Sequence, residues 1–405
     1  MTSRNFLVVL PVFFLISCGT GPEKKVARSP VKDTVYREDL ADTVDTVAAE
    51  TLTFNTNNPF HNITAVLCGE TGKANDLNFL FDTLAWARHA SFIDSSWTLL
   101  EKKRLQAMKT WGRKEFELTN AETKTVFYPF SGPDYLTANA FFPNADTYIM
   151  LGLEPVGKLP DVGSFKNGEA SDYVNDFKKS LSDIFDKSYF ITQRMLNDFQ
   201  SQKVNGLLPV LSFFIQKSGN DLLDVKYLLR YRQDSIGEVS YDYKNPDHKP
   251  FGVRIDFAQD GKRKSVYYFK YDVSNKLFND TTVFYKFIDA RTRNCVTYIK
   301  SASYLLHAGF MENIRTLILK NSCAVIQDDT GIPFNYFEKK NEFVIKLYGQ
   351  YTQPVSDFPY LKLQKPLQEA FKRDSALVGK LPFHLGYHWG TKKDVIIYAQ
   401  RKKNG

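Results

Sequence analysis

The sequence of 405 residues lacks any apolar stretch of the roughly 20 residues that a helix needs to cross a bilayer core. The run at its start, Phe6 to Ile16, is too short to span. Cysteine is scarce, with 4 in the chain. Three of them, Cys68, Cys295 and Cys323, are widely separated, which excludes a zinc pattern. An odd number in an oxidising compartment leaves at least one thiol free or paired to another molecule. No Gly-x-Ser-x-Gly elbow, zinc signature or phosphate loop is present. Charge of one sign is never blocked. The net charge of +8 is spread along the chain, and its short basic runs, Lys102-Lys103-Arg104, Lys262-Arg263-Lys264 and Arg401-Lys402-Lys403, read as solvated turns or tails. That argues against a nucleic-acid groove and leaves a mild attraction to an anionic membrane or wall.

What is present begins with Arg4, the apolar run and the tetrapeptide Leu15-Ile16-Ser17-Cys18. A basic residue, an apolar stretch and small residues at its end describe a secretory signal. The thiol where a cleavage site would sit resembles the lipobox of bacterial lipoproteins. That resemblance implies that residues 1–17 are removed and that Cys18 is acylated, becoming the membrane anchor. More than one acyl chain gives stable anchoring where a single chain does not. The other reading is an ordinary signal peptide that happens to contain a cysteine. Gly19 stands where an Asp would imply retention at the inner membrane, so the resemblance implies the outer membrane. The stretch Gly-Thr-Gly-Pro-Glu-Lys-Lys after Cys18 lacks an acidic export cluster and favours the periplasmic face.

Residues 18–55 carry few large apolar side chains and read as a flexible tether. Asp33-Thr34-Val35, Asp42-Thr43-Val44 and Asp45-Thr46-Val47 repeat one tripeptide. It resembles the Asp-Ser/Thr-apolar acceptor of protein O-glycosylation in Bacteroidota, which Asp234-Ser235-Ile236 and Asp374-Ser375-Ala376 also fit. A composition-biased linker is the plainer reading. Apolar residues at 43% and aromatics at 15% supply a sizeable core for one large domain or two ordinary ones.

The periodicities predict an α/β or α+β fold with a mixed sheet. Helical spacing runs from Asp76 to about Met108, with a break expected near Ser91 to Ser96. Lys124–Phe130 and Asp146–Leu153 read as strands around a helix capped by Ser131. A helical region follows, roughly Ser171 to Leu229. Then "FGVRIDFAQDGKRKSVYYFKYDV" reads as a hairpin turning at Asp260-Gly261. Cys295–Lys300, a helix from Ser303 to Lys320 and Cys323–Gln327 make a second strand-helix-strand unit. Its strands are placed so that Cys295 and Cys323 could form a disulfide. Strands near Phe343–Leu347 and Val395–Ala399 flank a helix over Leu363–Lys372. These elements suggest two related lobes, 56–225 and 226–405, with the helical segment and hairpin inserted.

In "FYPFSGPDYL" a strand runs into a helix start that carries Ser131, Gly132 and Asp134. Ser131 reads as an N-cap, a ligand contact or a nucleophile, and His307, His384 and His388 are the histidines that a nucleophile would call for. "QDDTGIP" and "GLEPVG" end strands, where ligands gather in open α/β sheets. Glu154, Asp328 and Asp329 could therefore share one rim and bind a cation, position a sugar or exchange protons, or they could be turn residues. His384 and His388 are spaced to share one face, as a metal pair or as strand histidines. No motif names a cofactor or a catalytic residue.

The block "WGRKEF…FYPFSGPDYL…FFPNADTYIMLGLEPVG", Trp111 to Gly157, and "AVIQDDTGIPF", Ala324 to Phe334, resemble uncharacterised envelope lipoproteins of Bacteroidota. That resemblance implies a location but no activity. The expectation is an outer-membrane-anchored, periplasm-facing lipoprotein with a binding or scaffolding role and an envelope protein or glycan as partner. The rival is a hydrolase or transferase acting on glycan or peptide.

Overall fold

The computed structural model describes residues 59–70, 84–161, 165, 169–186, 204, 206–230, 235–241, 250–358, 361–390 and 393–403. The leader, Cys18, the tether with its Asp-Thr-Val repeats and Asp234 lie outside them.

The fold is built on one ten-stranded mixed sheet, consistent with the α/β or α+β expectation. In chain order the strands are β1 (Thr125–Tyr128), β2 (Thr147–Gly152), β3 (Asp221–Arg230), β4 (Ile236–Ser240), β5 (Gly252–Gln259), β6 (Lys262–Lys270), β7 (Cys295–Ile299), β8 (Ser322–Gln327), β9 (Phe343–Gly349) and β10 (Val395–Arg401). Their spatial order is β4-β3-β5-β6-β2-β1-β7-β8-β10-β9. Strands β6, β2, β1, β7 and β8 run parallel, and the outer pairs on both sides are antiparallel. A boundary at residue 225 falls inside β3, and one sheet takes strands from both of the expected lobes.

The two strand-helix-strand units form where expected. Between β1 and β2 lies the helix Tyr135–Phe141, and between β7 and β8 the helix Glu312–Asn321. The central order β2-β1-β7-β8 makes the two crossovers run outward in opposite directions. Right-handed crossovers then put the helices on opposite faces of the sheet. The core clusters agree. Tyr135, Leu136 and Phe141 pack with Val126, Tyr148 and Tyr298, whereas Ile314, Leu317 and Ile318 pack with Phe127, Ile149 and Ile299. Each such fully buried aliphatic or aromatic side chain contributes about 1.5–3 kcal/mol.

The hairpin turns at Asp260 (φ 51°) and Gly261 (φ 75°), the two left-handed positions that a tight two-residue turn requires. Other expectations are corrected. The helix Leu84–Leu100 runs unbroken through Ser91 to Ser96, and Ser95 Oγ donates to the carbonyls of Ser91 and Phe92. A hydroxyl bonded back onto its own turn satisfies itself without ending the helix. The irregularity comes later, as a π turn at Glu101–Leu105. Residues 221–229 form a strand, because the helix Leu208–Lys217 stops at Gly219 (φ 85°) and β3 pairs with both β4 and β5. The helix expected from Ser303 begins instead with two short 3-10 turns and becomes regular only at Glu312.

Cys68, Cys295 and Cys323 are all free. Cys295 packs in the core under one face of the sheet and Cys323 against the core under the other. Their sulfurs point apart, and Cys323 Sγ reaches the carbonyl of Cys295 at 3.2 Å. The possible disulfide is therefore absent.

Candidate functional site

Neighbouring β1 and β7 with opposed crossovers define a topological switch point, the place where open α/β sheets bind ligands. A cleft opens there. It encloses about 650 Å³ of space continuous with solvent. Tyr128, Gly152 and Lys300, at the carboxyl ends of β1, β2 and β7, line it. Ser131, Glu154, Ser301 and Tyr387 come from the surrounding loops.

The loops leaving β1 and β7 are conformationally costly. Phe130 (φ 64°), Ser301 (φ 56°), Ser303 (φ 50°) and Tyr304 (φ 56°) are all left-handed, as is Gly132 (φ 51°). Each non-glycine residue there costs about 1–2 kcal/mol, and such residues persist only where their surroundings hold them. Here the holding groups are visible. Ser131 N donates to the Leu151 carbonyl at 2.8 Å. Ser301 N donates to Asp328 Oδ2 and Ala302 N to Thr330 Oγ1, both at 2.8 Å. Tyr304 OH donates to Asp329 Oδ2 at 2.6 Å.

Asp134, not Ser131, caps the helix: Asp134 Oδ1 accepts from Thr137 N at 3.2 Å. Its Oδ2 accepts from Thr137 Oγ1 at 2.6 Å and from Tyr128 OH at 3.0 Å, and faces Lys300 Nζ at 2.5 Å. Burial, and then the charge of Asp134, hold the Tyr128 hydroxyl well above its ordinary pKa, so it stays a donor. Ser131 Oγ spends its single proton on the carbonyls of Gly132 (3.0 Å) and Leu151 (3.1 Å). Toward the cleft it offers lone pairs only.

Glu154 lines the cleft, as its place after β2 predicts. It folds back over the strand end: Oε2 accepts from Leu153 N at 3.1 Å, and Tyr268 OH lies 3.4 Å away. Gly152 permits this, because a Cβ there would come within 2.6 Å of Glu154 Oε2 and 2.7 Å of Tyr268 OH.

Asp328 and Asp329 are not on the rim with Glu154. Strands β1 and β7 lie between, and both acids are buried behind the loop that leaves β7. Asp328 also accepts from Thr330 N and Thr330 Oγ1. Burial, and then the neighbouring charge of Asp329, raise the Asp328 carboxyl. Asp329 Oδ1 pairs with His388 Nε2 at 2.9 Å. Burial pulls the His388 imidazole down. The bond to Asp329 and the charges of Asp329, Asp328 and Asp394 outweigh it and leave the pKa above the usual value.

His384 and His388 do not lie on a strand. His388 belongs to the short 3-10 turn Gly386–Gly390, and His384 precedes it. The two bond different carboxylates, His384 Nδ1 meeting Asp394 Oδ2 at 2.5 Å. Among the described residues no three His, Cys, Asp or Glu side chains are grouped to hold a metal ion. The cleft's histidine complement matters to the nucleophile reading of Ser131. None of His307, His384 and His388 lines it.

Of the six residues singled out in the sequence, Ser131, Gly132, Asp134 and Glu154 meet at the cleft, and Asp328 and Asp329 support it from behind. Lys300, Ser301, Ser303 and Tyr387 were missed. A lysine directly after an apolar strand, as in "VTYIK", was the signal available for Lys300. Tyr387 reaches the site from far along the chain through a hydrogen bond to Ser303 Oγ at 2.8 Å.

Compared with known proteins, the chain matches no family model, no curated protein and no solved structure.

Proposed function

We propose that the chain is a lipoprotein of the bacterial outer membrane, held by acylated Cys18 with its body on the periplasmic face, and that the body binds a small polar ligand. The leader and the residues around Cys18 support the anchor. Among the described residues no helix is long and apolar enough to cross a membrane.

The observation that carries the binding reading is the cleft at the switch point of β1 and β7. Its walls are costly left-handed loops fixed by buried acids. Scaffolding needs no such cleft. The hydrolase or transferase alternative has less support, because Ser131 gives its proton to main-chain carbonyls and no histidine lines the cleft.

The test is a melting screen by intrinsic fluorescence on the full chain, purified from membranes in a detergent without a sugar headgroup. The panel holds neutral sugars, amines, amino acids, phosphate and divalent metals. A ligand at 100 times its Kd stabilises by about 2.7 kcal/mol, a readable shift. A flat response across the panel would refute the binding reading. Separately, failure of Cys18 to take up labelled palmitate would refute the anchor.

A further inference from the structure

We infer that the turn Gly386–Gly390 is a pH-sensitive clip on the cleft wall: two histidine–carboxylate pairs, His384–Asp394 and His388–Asp329, fasten it when the imidazoles are protonated and let it loosen as they lose protons.

His384, just before the turn, meets Asp394 Oδ2 at 2.5 Å, and Leu385 N donates to the other oxygen of the same carboxylate at 2.7 Å. His388, within the turn, meets Asp329 Oδ1 at 2.9 Å. The two acids flank neighbouring strands, Asp329 just after β8 and Asp394 just before β10. Between the histidines lie Gly386 and Tyr387. Gly386 (φ 61°) packs so closely that a Cβ there would come within 2.8 Å of Asp328 Oδ2. Tyr387 lines the cleft and shares a hydrogen bond with Ser303, in the loop after β7, at 2.8 Å. The turn therefore holds part of the cleft wall, and the two pairs hold the turn.

Hydrogen bonds between charged partners are roughly twice as strong as neutral ones. Histidine is the side chain whose ordinary pKa puts its charge change between about pH 5 and 8. A neutral imidazole can keep an N–H toward its carboxylate, so the pairs weaken with rising pH rather than break.

The charges around the clip favour that change. Burial lowers the His388 imidazole, and the bond to Asp329 with the charges of Asp329, Asp328 and Asp394 outweighs it. The fixed cations nearby are engaged elsewhere. Lys300 meets Asp134. Arg315 donates to the carbonyls of Leu306 and Ala308. Arg104, whose guanidinium lies 4.8 Å from the Trp389 ring centroid, donates to the carbonyl of Ile184. The hydroxyls of Tyr128, Tyr298, Tyr304 and Tyr351 feel the charge of Asp328 or Asp329. All four are raised, first by burial, and stay neutral. Two further groups titrate beside the clip. Asp328 is raised by burial and then by Asp329, so its ionisation at rising pH adds repulsion and acts in the same direction. His307 faces Asp329 and Arg315, and burial pulls it down, so it acts in the opposite direction.

The experiment is hydrogen exchange of the full chain without ligand, in the detergent of the melting screen, so its outcome is separate from that of the binding reading. Peptide masses are followed from about pH 5.5 to 8 and corrected for the intrinsic pH dependence of amide exchange. Wild type is set beside His384→Gln, His388→Gln and the double variant. In the wild type, corrected exchange over 384–390 and 301–304 is expected to rise about fivefold or more across this range, while β10 stays constant. The single variants should exchange faster at the acid end and show flatter profiles, and the double variant a flat one. Wild-type exchange that does not change with pH would overturn the clip. So would a wild-type rise that persists in the double variant, which would assign it to Asp328 instead. If the double variant does not fold, His384→Gln alone decides, because that side chain is 37% exposed. An unchanged profile there would overturn the clip as well.

Discussion

Lys300 and Asp134, one following β7 and the other capping the helix after β1, form a buried ion pair with Nζ 2.5 Å from Oδ2. Two loops distant in sequence are joined there under the cleft. Asp134 is completed by Tyr128 and Thr137, so its second role as helix cap and its pairing role share one carboxylate.

Removing one member of such a pair strands the other. Lys300→Met is expected to cost about 3–5 kcal/mol, and the double variant Lys300→Met/Asp134→Leu less than the sum of the singles. Asp134→Ala loses a cap in addition, typically about 1 kcal/mol. Ser131→Ala, which removes bonds to two carbonyls, is expected to cost only about 1 kcal/mol. Urea denaturation of these four variants and of Asp134→Leu alone, beside the wild type, checks the order. Equal losses for Ser131→Ala and Asp134→Ala would assign the cap wrongly.

Two buried histidines are expected to titrate in opposite directions. His388 is raised, net of its burial, by Asp329 and by the charges of Asp328 and Asp394. Its pairing stabilises the fold fully below the unfolded pKa near 6.5 and is lost as pH rises through the folded pKa. His89 is pushed down to about 4, chiefly by burial, so its contribution is present above 6.5 and lost as pH falls toward 4. Imidazole NMR titration reads both directly. In melting curves, His388→Gln should lose less stability than wild type between pH 6.5 and 8.5. An imidazole at position 388 that titrates below 6.5 would contradict the pairing.

How much of this was legible in the sequence depended on range. The hairpin was readable because Asp260-Gly261 is a local turn signal between alternating strands. Both central strand-helix-strand units were readable from period alone. Residues 221–229 were not, because their leucines fit a helix as well as a strand and pairing with β4 and β5 decides the matter. Ser131 and Asp134 are both good cap residues three positions apart, and only the turn through Gly132 (φ 51°) shows which one meets the helix. Lys300 and Asp134, Tyr387 and Ser303, or His388 and Asp329 meet through sheet topology, which no local pattern encodes.

The three thiols are expected to stay reduced and slow to react. Burial raises the Cys295 thiol to about 12, and it raises Cys68 and Cys323 as well. The thiolate is the reactive form, so alkylation of the folded chain at pH 8 should be slow at all three. Unfolding should expose three titratable thiols without reductant. A mass increase of two protons on reduction would show a disulfide and contradict the opposed placement of Cys295 and Cys323.

Gly152 ties the sheet to the cleft most directly. A methyl group there would meet Glu154 Oε2 and Tyr268 OH, both side-chain ends, with no backbone atom among the nearest contacts. Gly152→Ala must therefore displace both the Glu154 carboxylate and the buried Tyr268 ring, while β2 keeps its pairing with β1 and β6. The expected outcome is a loss of stability of about 1–3 kcal/mol, the usual cost of overpacking. Alongside it, ligand response should fall as far as in Glu154→Gln. Combining Gly152→Ala with Glu154→Gln should then weaken binding no further, since both act through the same carboxylate. Additive losses in that double variant would show that Gly152 matters to the ligand through the backbone itself rather than through Glu154.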